Sequence, residues 1–285
     1  MMEVVAPGPF PTVQDFGRLG YAHLGVSPSG ALDVPAFRLA NRLVGNPEQC
    51  AVLEATYGGL AFRLTRQAWI AVTGAPVAVS VDGRGGAMNC PVLVPPGREV
   101  RLGMPRQGIR SYVAVTGGFA VAAVLGSRSC DTLSGIGPSP LRAGDLLPLG
   151  SSRPAPAIDV AAVADPPAAG EATILGVFVG PRHEWFAEEA LAALFADNFE
   201  VTDKSDRVGL RLLGPALLRR TEEELPTEAM MTGSLQVPPD GQPILFLNDH
   251  PTTGGYPVIA VVCTADLALV AQARPGTRLR FRQVG

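Results

Sequence analysis

Lysine is almost missing from this chain: Lys204 stands alone among 23 basic residues, the others being arginine. Lysine chemistry therefore has one candidate, and we attribute the arginine skew to genome composition. Histidine is nearly as scarce. His23, His183 and His250 occur singly, without the spacing of metal ligands, so the expected metal content is none. Four cysteines, Cys50, Cys90, Cys130 and Cys263, lie far apart, which excludes the close pairs of zinc and redox motifs and predicts reduced, buried thiols. Long apolar runs are absent too. The most apolar stretch, 256–273, is interrupted by Pro257, Thr264, Asp266 and Gln272, short of the roughly 18 to 20 residues a membrane span requires. Glu3 and Pro7 stand where a signal peptide needs a basic and then an apolar segment, so the expectation is a cytoplasmic protein with no membrane association. A net charge of −3 without a basic cluster speaks against a nucleic-acid surface. No G-x-x-x-x-G-K-[ST] loop or G-x-S-x-G elbow occurs, and Gly135-Ile136-Gly137 lacks the third glycine of a dinucleotide fingerprint.

What the chain has in quantity is punctuation: 33 glycines and 27 prolines separate short runs of valine, leucine and isoleucine. That pattern predicts a mainly β fold, with strands at 68–72, 77–81, 91–94, 111–115, 173–179, 243–247 and 258–263. Two segments carry helical spacing instead. Residues 33–44 place Phe37, Leu39, Ala40 and Leu43 on one side behind Asp33 as N-cap, and residues 184–195 do the same with Phe186, Ala190, Leu191 and Leu194. At 285 residues the chain suits two lobes. A proline- and alanine-rich stretch at 151–170 predicts the linker between lobes at 1–150 and 171–285.

Four patches combine chain-bending residues with polar side chains that apolar packing does not require. Between Thr12 and Asp33, glycines at 17, 20, 25 and 30 can hold Gln14, Asp15, Arg18 and His23 around a cavity, or Asp15 can cap a turn and pair with Arg18. Asn41, in LANRLVGNPEQC, either projects into a site or satisfies nearby backbone. In SDRVGLRLLGP, Arg207 either grips a carboxylate or phosphate or pairs with Asp206 at the surface. In GSLQVPPDGQPILFLNDHPTTGGYPVIA, which holds Gln236 and Asp249, Gly254 and Gly255 with Thr252, Thr253 and Tyr256 form either an anion-binding nest or a glycine-rich hairpin loop.

Taken in order, these four patches resemble the allophanate hydrolase subunit 2 family, also called the biotin-dependent carboxyltransferase or KipA family, almost end to end. The resemblance implies two cyclophilin-like β-barrel lobes and a partner of the KipI type. Stand-alone members of this length are similar to the C subunits of ATP-dependent 5-oxoprolinases, which act with A and B subunits to open 5-oxoproline to glutamate, the B component being the KipI-type chain. Such chemistry implies ATP, with magnesium, at the level of the complex. On that resemblance Asp15, Arg18 and Asp249 are the catalytic candidates, and Gln14, Asn41, Arg207, Gln236, Thr252, Thr253, Gly254, Gly255 and Tyr256 the residues for substrate or phosphate. The chain departs from the family's tail motif at Pro251 and Val258, where glutamine and lysine are common.

Two other activities share the resemblance. One is the carboxyltransferase part of a urea carboxylase or allophanate hydrolase system, with biotin on another chain, since Lys204 lies between Asp203 and Ser205 and not between methionines. The other is a regulatory protein that binds a KipI-type inhibitor of a sensor kinase.

Overall fold

Alternating side chains decide the first half of the fold. In a computed structural model, which describes residues 1–151, 160–163, 166–167, 170–221, 223 and 225–285, the chain is mainly β with three short α-helices. It divides into two units: Met1–Arg18, Ser29–Asp131 and Gly135–Pro166 form the first, and Leu19–Pro28, Thr132–Ser134 and Pro167–Gly285 the second. Two pieces of the N-terminal half thus belong to the second unit. Most of the stretch expected as a linker, 151–170, lies outside the described residues.

The first unit contains two antiparallel sheets. One orders its strands Phe10–Gln14, Val52–Thr56, Arg110–Val115, Ala68–Gly74 and Pro91–Val94. The other orders Leu146–Leu147, Met2–Ala6, Ala61–Leu64, Glu99–Leu102, Val79–Val81 and Arg84–Gly86. Successive residues of a strand face opposite ways. Val13, Leu53, Ile70, Val72, Val113 and Val115 accordingly meet Val4, Phe62, Leu64, Val100 and Leu102 of the second sheet in one core. Their sequence neighbours Val52, Ala71, Tyr112 and Ala114 face the other way and pack with Phe37, Ala40 and Leu43. Each valine, leucine, isoleucine or phenylalanine buried there contributes about 1.5–3 kcal/mol.

Phe37, Ala40 and Leu43 lie on helix α1, Val34–Leu43, and Asp33 caps it as expected by accepting the Ala36 N–H at 3.0 Å. The helix covers the five-stranded sheet on a face that also carries polar groups. Thr12, Glu54, Tyr112 and Thr73 lie in register across four adjacent strands, and all are buried.

The second unit holds the closed barrel. Its strands run Thr173–Val179, Val258–Val262, Ser234–Gln236, Ile244–Phe246, Gly209–Leu213, Phe199–Val201 and Arg278–Gln283, and a parallel pairing of the first with the last closes the ring. Leu175, Val177, Leu210, Leu212, Leu279 and Phe281 are buried, while Ile174, Phe178, Arg211, Leu213 and Arg280 alternate with them on the exposed side. The second expected helix starts later than its spacing suggests. Residues 183–185 form a single 3-10 turn, Phe186 is extended and bridges to Arg219, and helix α2 occupies Glu188–Ala196. A third helix, α3 at Leu267–Ala271, lies inside the apolar stretch near the C-terminus. No helix among the described residues is long and apolar enough to cross a membrane.

Candidate functional site

In the first unit, the strand Phe10–Gln14 ends where the chain turns into Asp15, Phe16 and Gly17. Gln14 is fully buried; its Nε2 donates to Thr12 Oγ1 and to the Cys130 carbonyl, each at 3.0 Å, and its Oε1 has no partner among the described residues. Asp15 accepts four donors: Gly17 N–H at 2.8 Å, the Ser127 and Ser129 hydroxyls at 2.5 and 2.7 Å, and the Arg128 N–H at 2.6 Å. Its own N–H donates to Ser129 Oγ. Asp15 therefore pins segment 127–129 to the strand end.

Arg18, the next polar residue, is 2% exposed. It donates through Nη2 to the Ser129 carbonyl, while Nε and Nη1 are buried without a partner among the described residues. The expected Asp15–Arg18 pair does not form, because the Asp15 carboxylate is spent on hydroxyls and amides. A guanidinium buried without a counter-charge costs several kcal/mol after relaxation, and an anion relieves that cost.

Beside this cluster, Glu54 accepts the Leu32 N–H at 3.0 Å and the Tyr112 hydroxyl at 2.8 Å, and Arg110 lies 3.6 Å from it. Burial, followed by the charges of Glu54 and Asp33, pushes the Tyr112 phenol well above its ordinary range. Tyr112 is thus a neutral hydroxyl that links Glu54 to the Asp33 N–H at the start of α1.

The second unit has its own buried arginine. Arg207 donates from Nε to Asp249 Oδ2 at 2.9 Å and from Nη2 to Oδ1 at 3.1 Å, a bidentate pair with side-chain exposures of 2% and 0%. Thr132, in a short segment that belongs to this unit, adds its N–H at 2.9 Å and its hydroxyl at 2.7 Å to Oδ2. Burial works to raise the Asp249 pKa, but the Arg207 charge and the bonds from Arg207 and Thr132 outweigh it and hold the carboxyl below its ordinary value. Asp249 is a fixed carboxylate at neutral pH, unsuited to donating a proton. Asp206, the expected surface partner of Arg207, accepts the Val208 and Gly209 N–H groups in a turn. Segment 19–28 reaches the same loop through Ser27 Oγ, which donates to the Asn248 carbonyl at 2.8 Å.

Farther along that loop, Thr253–Gly254 pairs antiparallel with Glu228–Ala229. Neither Gly254 nor Gly255 has the positive φ of an anion-binding nest, and the flanking strands Ile244–Phe246 and Val258–Val262 do not pair, Ser234–Gln236 lying between them, so the loop is neither the nest nor a hairpin turn. Glycine at 254 answers to close approach: a Cβ there would stand 2.4 Å from Gln236 Nε2. Gln236 Nε2 donates to the Tyr256 carbonyl at 3.1 Å, and the Arg219 guanidinium stands 5.9 Å from the Tyr256 ring centroid. Thr252 is partly buried and Thr253 exposed. Asn41 is remote from any such role. Its Nδ2 donates to the Glu48 and Cys50 carbonyls and its Oδ1 accepts from Asn46, so its polar atoms are used in holding the turn after α1.

The fold gathers Gln14, Asp15 and Arg18 in the first unit; in the second it gathers Arg207 with Asp249, and Gln236 with Gly254 and Tyr256. Sequence reasoning missed Ser127, Ser129 and Thr132, and the polar run SRSCDT from Ser127 to Thr132 was the available signal. It also passed over Tyr112, whose hydroxyl nothing local distinguishes from core.

Residues 24–283 match the family described as carboxyltransferase domain, subdomain A and B. Over 99% of its length the chain is 36% identical to the 5-oxoprolinase C subunit of Escherichia coli (strain K12), and it covers 91% of that protein. It is 34% identical to the urea amidolyase of Lachancea kluyveri over 98% of its length but spans only 17% of that much longer chain. The crystal structure of the K. lactis urea amidolyase superposes on the whole chain with a TM-score of 0.90 at 32% identity, the match spanning 19% of that structure's chain.

Proposed function

Because the chain belongs to the carboxyltransferase domain family, we propose that it is the C subunit of an ATP-dependent 5-oxoprolinase, inactive alone and working with the A and B subunits. The observation that carries this reading is similarity: over 99% of its length the chain is 36% identical to a 5-oxoprolinase C subunit, and the match takes in 91% of that protein. The seven-stranded barrel of the second unit is then the cyclophilin-like lobe. A lactam carbonyl is a poor electrophile, and coupling its hydrolysis to ATP lowers a barrier that binding alone leaves high.

ATP itself fits poorly on the loop at 252–256. Thr253 and Gly254 are extended and ladder-bonded, and they do not offer a cradle of convergent N–H groups. We therefore assign nucleotide and magnesium to the assembled complex and not to this loop, and give this chain the task of holding the organic anion, with Arg18 as its cation. Asp15 and Asp249 become positioning residues, Asp15 for segment 127–129 and Asp249 for Arg207.

The test is reconstitution. Purified chain with the A and B subunits is expected to release glutamate from 5-oxoproline only with ATP and magnesium, and omission of this chain is expected to abolish release. Glutamate release that is unchanged without the chain rejects the reading. A second reading, carboxyl transfer within a biotin system, draws on the full-length superposition on a urea amidolyase. It predicts activity that requires an added biotin carrier, because no biotin is expected on Lys204.

A further inference from the structure

Two side chains of the first unit carry unused hydrogen-bonding capacity of opposite kinds. Arg18 offers donors at Nε and Nη1, and Gln14 offers an acceptor at Oε1; all three atoms are buried and without partners among the described residues. Both side chains are moored to consecutive residues of one segment, Arg18 to the Ser129 carbonyl and Gln14 to the Cys130 carbonyl. Asp15 fixes that segment from the other side through the Ser127 and Ser129 hydroxyls and the Arg128 N–H.

The orientation of the Gln14 amide is also set. Its Nε2 faces a carbonyl, an acceptor only, so reversing the amide would put oxygen against oxygen and lose a bond. The free atom at this position is therefore an acceptor. A ligand that satisfies the pair needs an anionic group with two acceptor oxygens for Arg18 and a hydrogen-bond donor, N–H or O–H, for Gln14. Inorganic phosphate near neutral pH supplies the oxygens and a P–OH donor, which makes it the competing ligand for a titration. A carboxylate with a neighbouring amide N–H supplies both.

We propose that Gln14 and Arg18 form a receptor for an N-acylated amino acid, taking its carboxylate on Arg18 and its amide N–H on Gln14 Oε1. A lactam acid such as 5-oxoproline has both groups on adjacent ring atoms, and choosing it as ligand rests on the function proposed above; the receptor chemistry itself does not. Asp15 is the positioning residue of this receptor.

The experiment is calorimetric titration of the full-length chain with four probes: 5-oxoproline, its carboxamide, its N-methyl derivative and inorganic phosphate. The acid is expected to bind, the carboxamide at least about tenfold more weakly, and the N-methyl derivative about three- to tenfold more weakly. Arg18→Met is expected to remove the preference for acid over carboxamide, and Gln14→Leu to remove the preference for N–H over N-methyl while retaining the first. Circular dichroism and thermal melts establish that both variants fold. Should Gln14→Leu fail to fold, the N-methyl comparison on the wild-type chain still tests the acceptor.

Absence of saturable binding by the wild-type chain, equal binding of acid and carboxamide, tighter binding of phosphate than of the acid, or an acid preference that survives Arg18→Met would each overturn the proposal. Its failure is separable from that of the 5-oxoprolinase reading. Specific binding without glutamate release by the reconstituted complex sinks the reading and leaves the receptor. Release that continues in a chain with no binding preference sinks the receptor and leaves the reading.

Discussion

Arg18 and Arg207 are each 2% exposed and each belong to a glycine-containing connection, yet they solve the same electrostatic problem differently. Arg207 has a bidentate carboxylate, and that carboxylate has two further donors from Thr132. Arg18 has one carbonyl, and the nearest carboxylate in sequence, Asp15, is bonded elsewhere. A self-satisfied pair holds a loop. A cation left partly unsatisfied is a place where a ligand gains more than the fold does. Burial is common to both arginines and so does not separate them; the accounting of partners does.

The largest break in that comparison comes from Asp249. Asp249→Asn leaves Arg207 buried without its counter-charge and is expected to cost about 3–5 kcal/mol, measured as the loss in urea-unfolding free energy. The sign with pH follows from its depressed pKa. The contribution of the pair is fully present above the ordinary value of 3.8 and is lost as the pH falls through the lower, folded value. The difference between wild type and Asp249→Asn is therefore expected to hold from about pH 5 upward and to narrow only in strong acid. A difference that vanishes already near neutrality contradicts the assignment of a fixed carboxylate.

Two glycines sharpen the contrast at lower cost. Gly137 has φ +94°, and a Cβ there would stand 2.1 Å from the Ser129 carbonyl and 3.0 Å from Arg18 Nη2. Gly137→Ala combines left-handed strain with a backbone collision and is expected to cost about 2–4 kcal/mol. Gly254→Ala meets only side-chain atoms, the flexible end of Gln236 at 2.4 Å and Met230 Cγ and Sδ at 3.3 Å, without positive φ, and about 1 kcal/mol is expected. Thermal unfolding that ranks the two variants in the reverse order would show that the Arg18 segment yields more readily than its bonds suggest.

Sequence patterns revealed what depends on near neighbours. The Asp33 cap lies three residues from the N–H it binds, and the run at 173–179 is long and apolar enough to be read as the strand that forms. Partners distant in sequence were hidden. Arg207 stands next to Asp206 in the chain but binds Asp249, and Asp15 stands three residues from Arg18 but binds Ser127 and Ser129. In both cases proximity in sequence named a plausible ion pair, and tertiary contacts between residues 42 and 112 positions apart replaced it. The early start given to α2 failed for the same kind of reason, since the extended Phe186 bridges to Arg219, a contact no local window contains.

The smallest expected loss is the most discriminating. Arg207→Met strands the Asp249 carboxylate in the interior and is expected to destabilise the chain by about 3–5 kcal/mol. Arg18→Met keeps much of the side-chain volume, gives up one bond to the Ser129 carbonyl and removes a buried charge that has no counter-ion. The lost bond costs about 1 kcal/mol, less than the several kcal/mol that the uncompensated charge costs, so Arg18→Met is expected to show no net loss of stability. A saturating carboxylate ligand at about one hundred times its dissociation constant is expected to stabilise the wild-type chain by about 2.7 kcal/mol and Arg18→Met hardly at all. If Arg18→Met loses as much stability as Arg207→Met, the two arginines are structural alike and the distinction drawn between them fails.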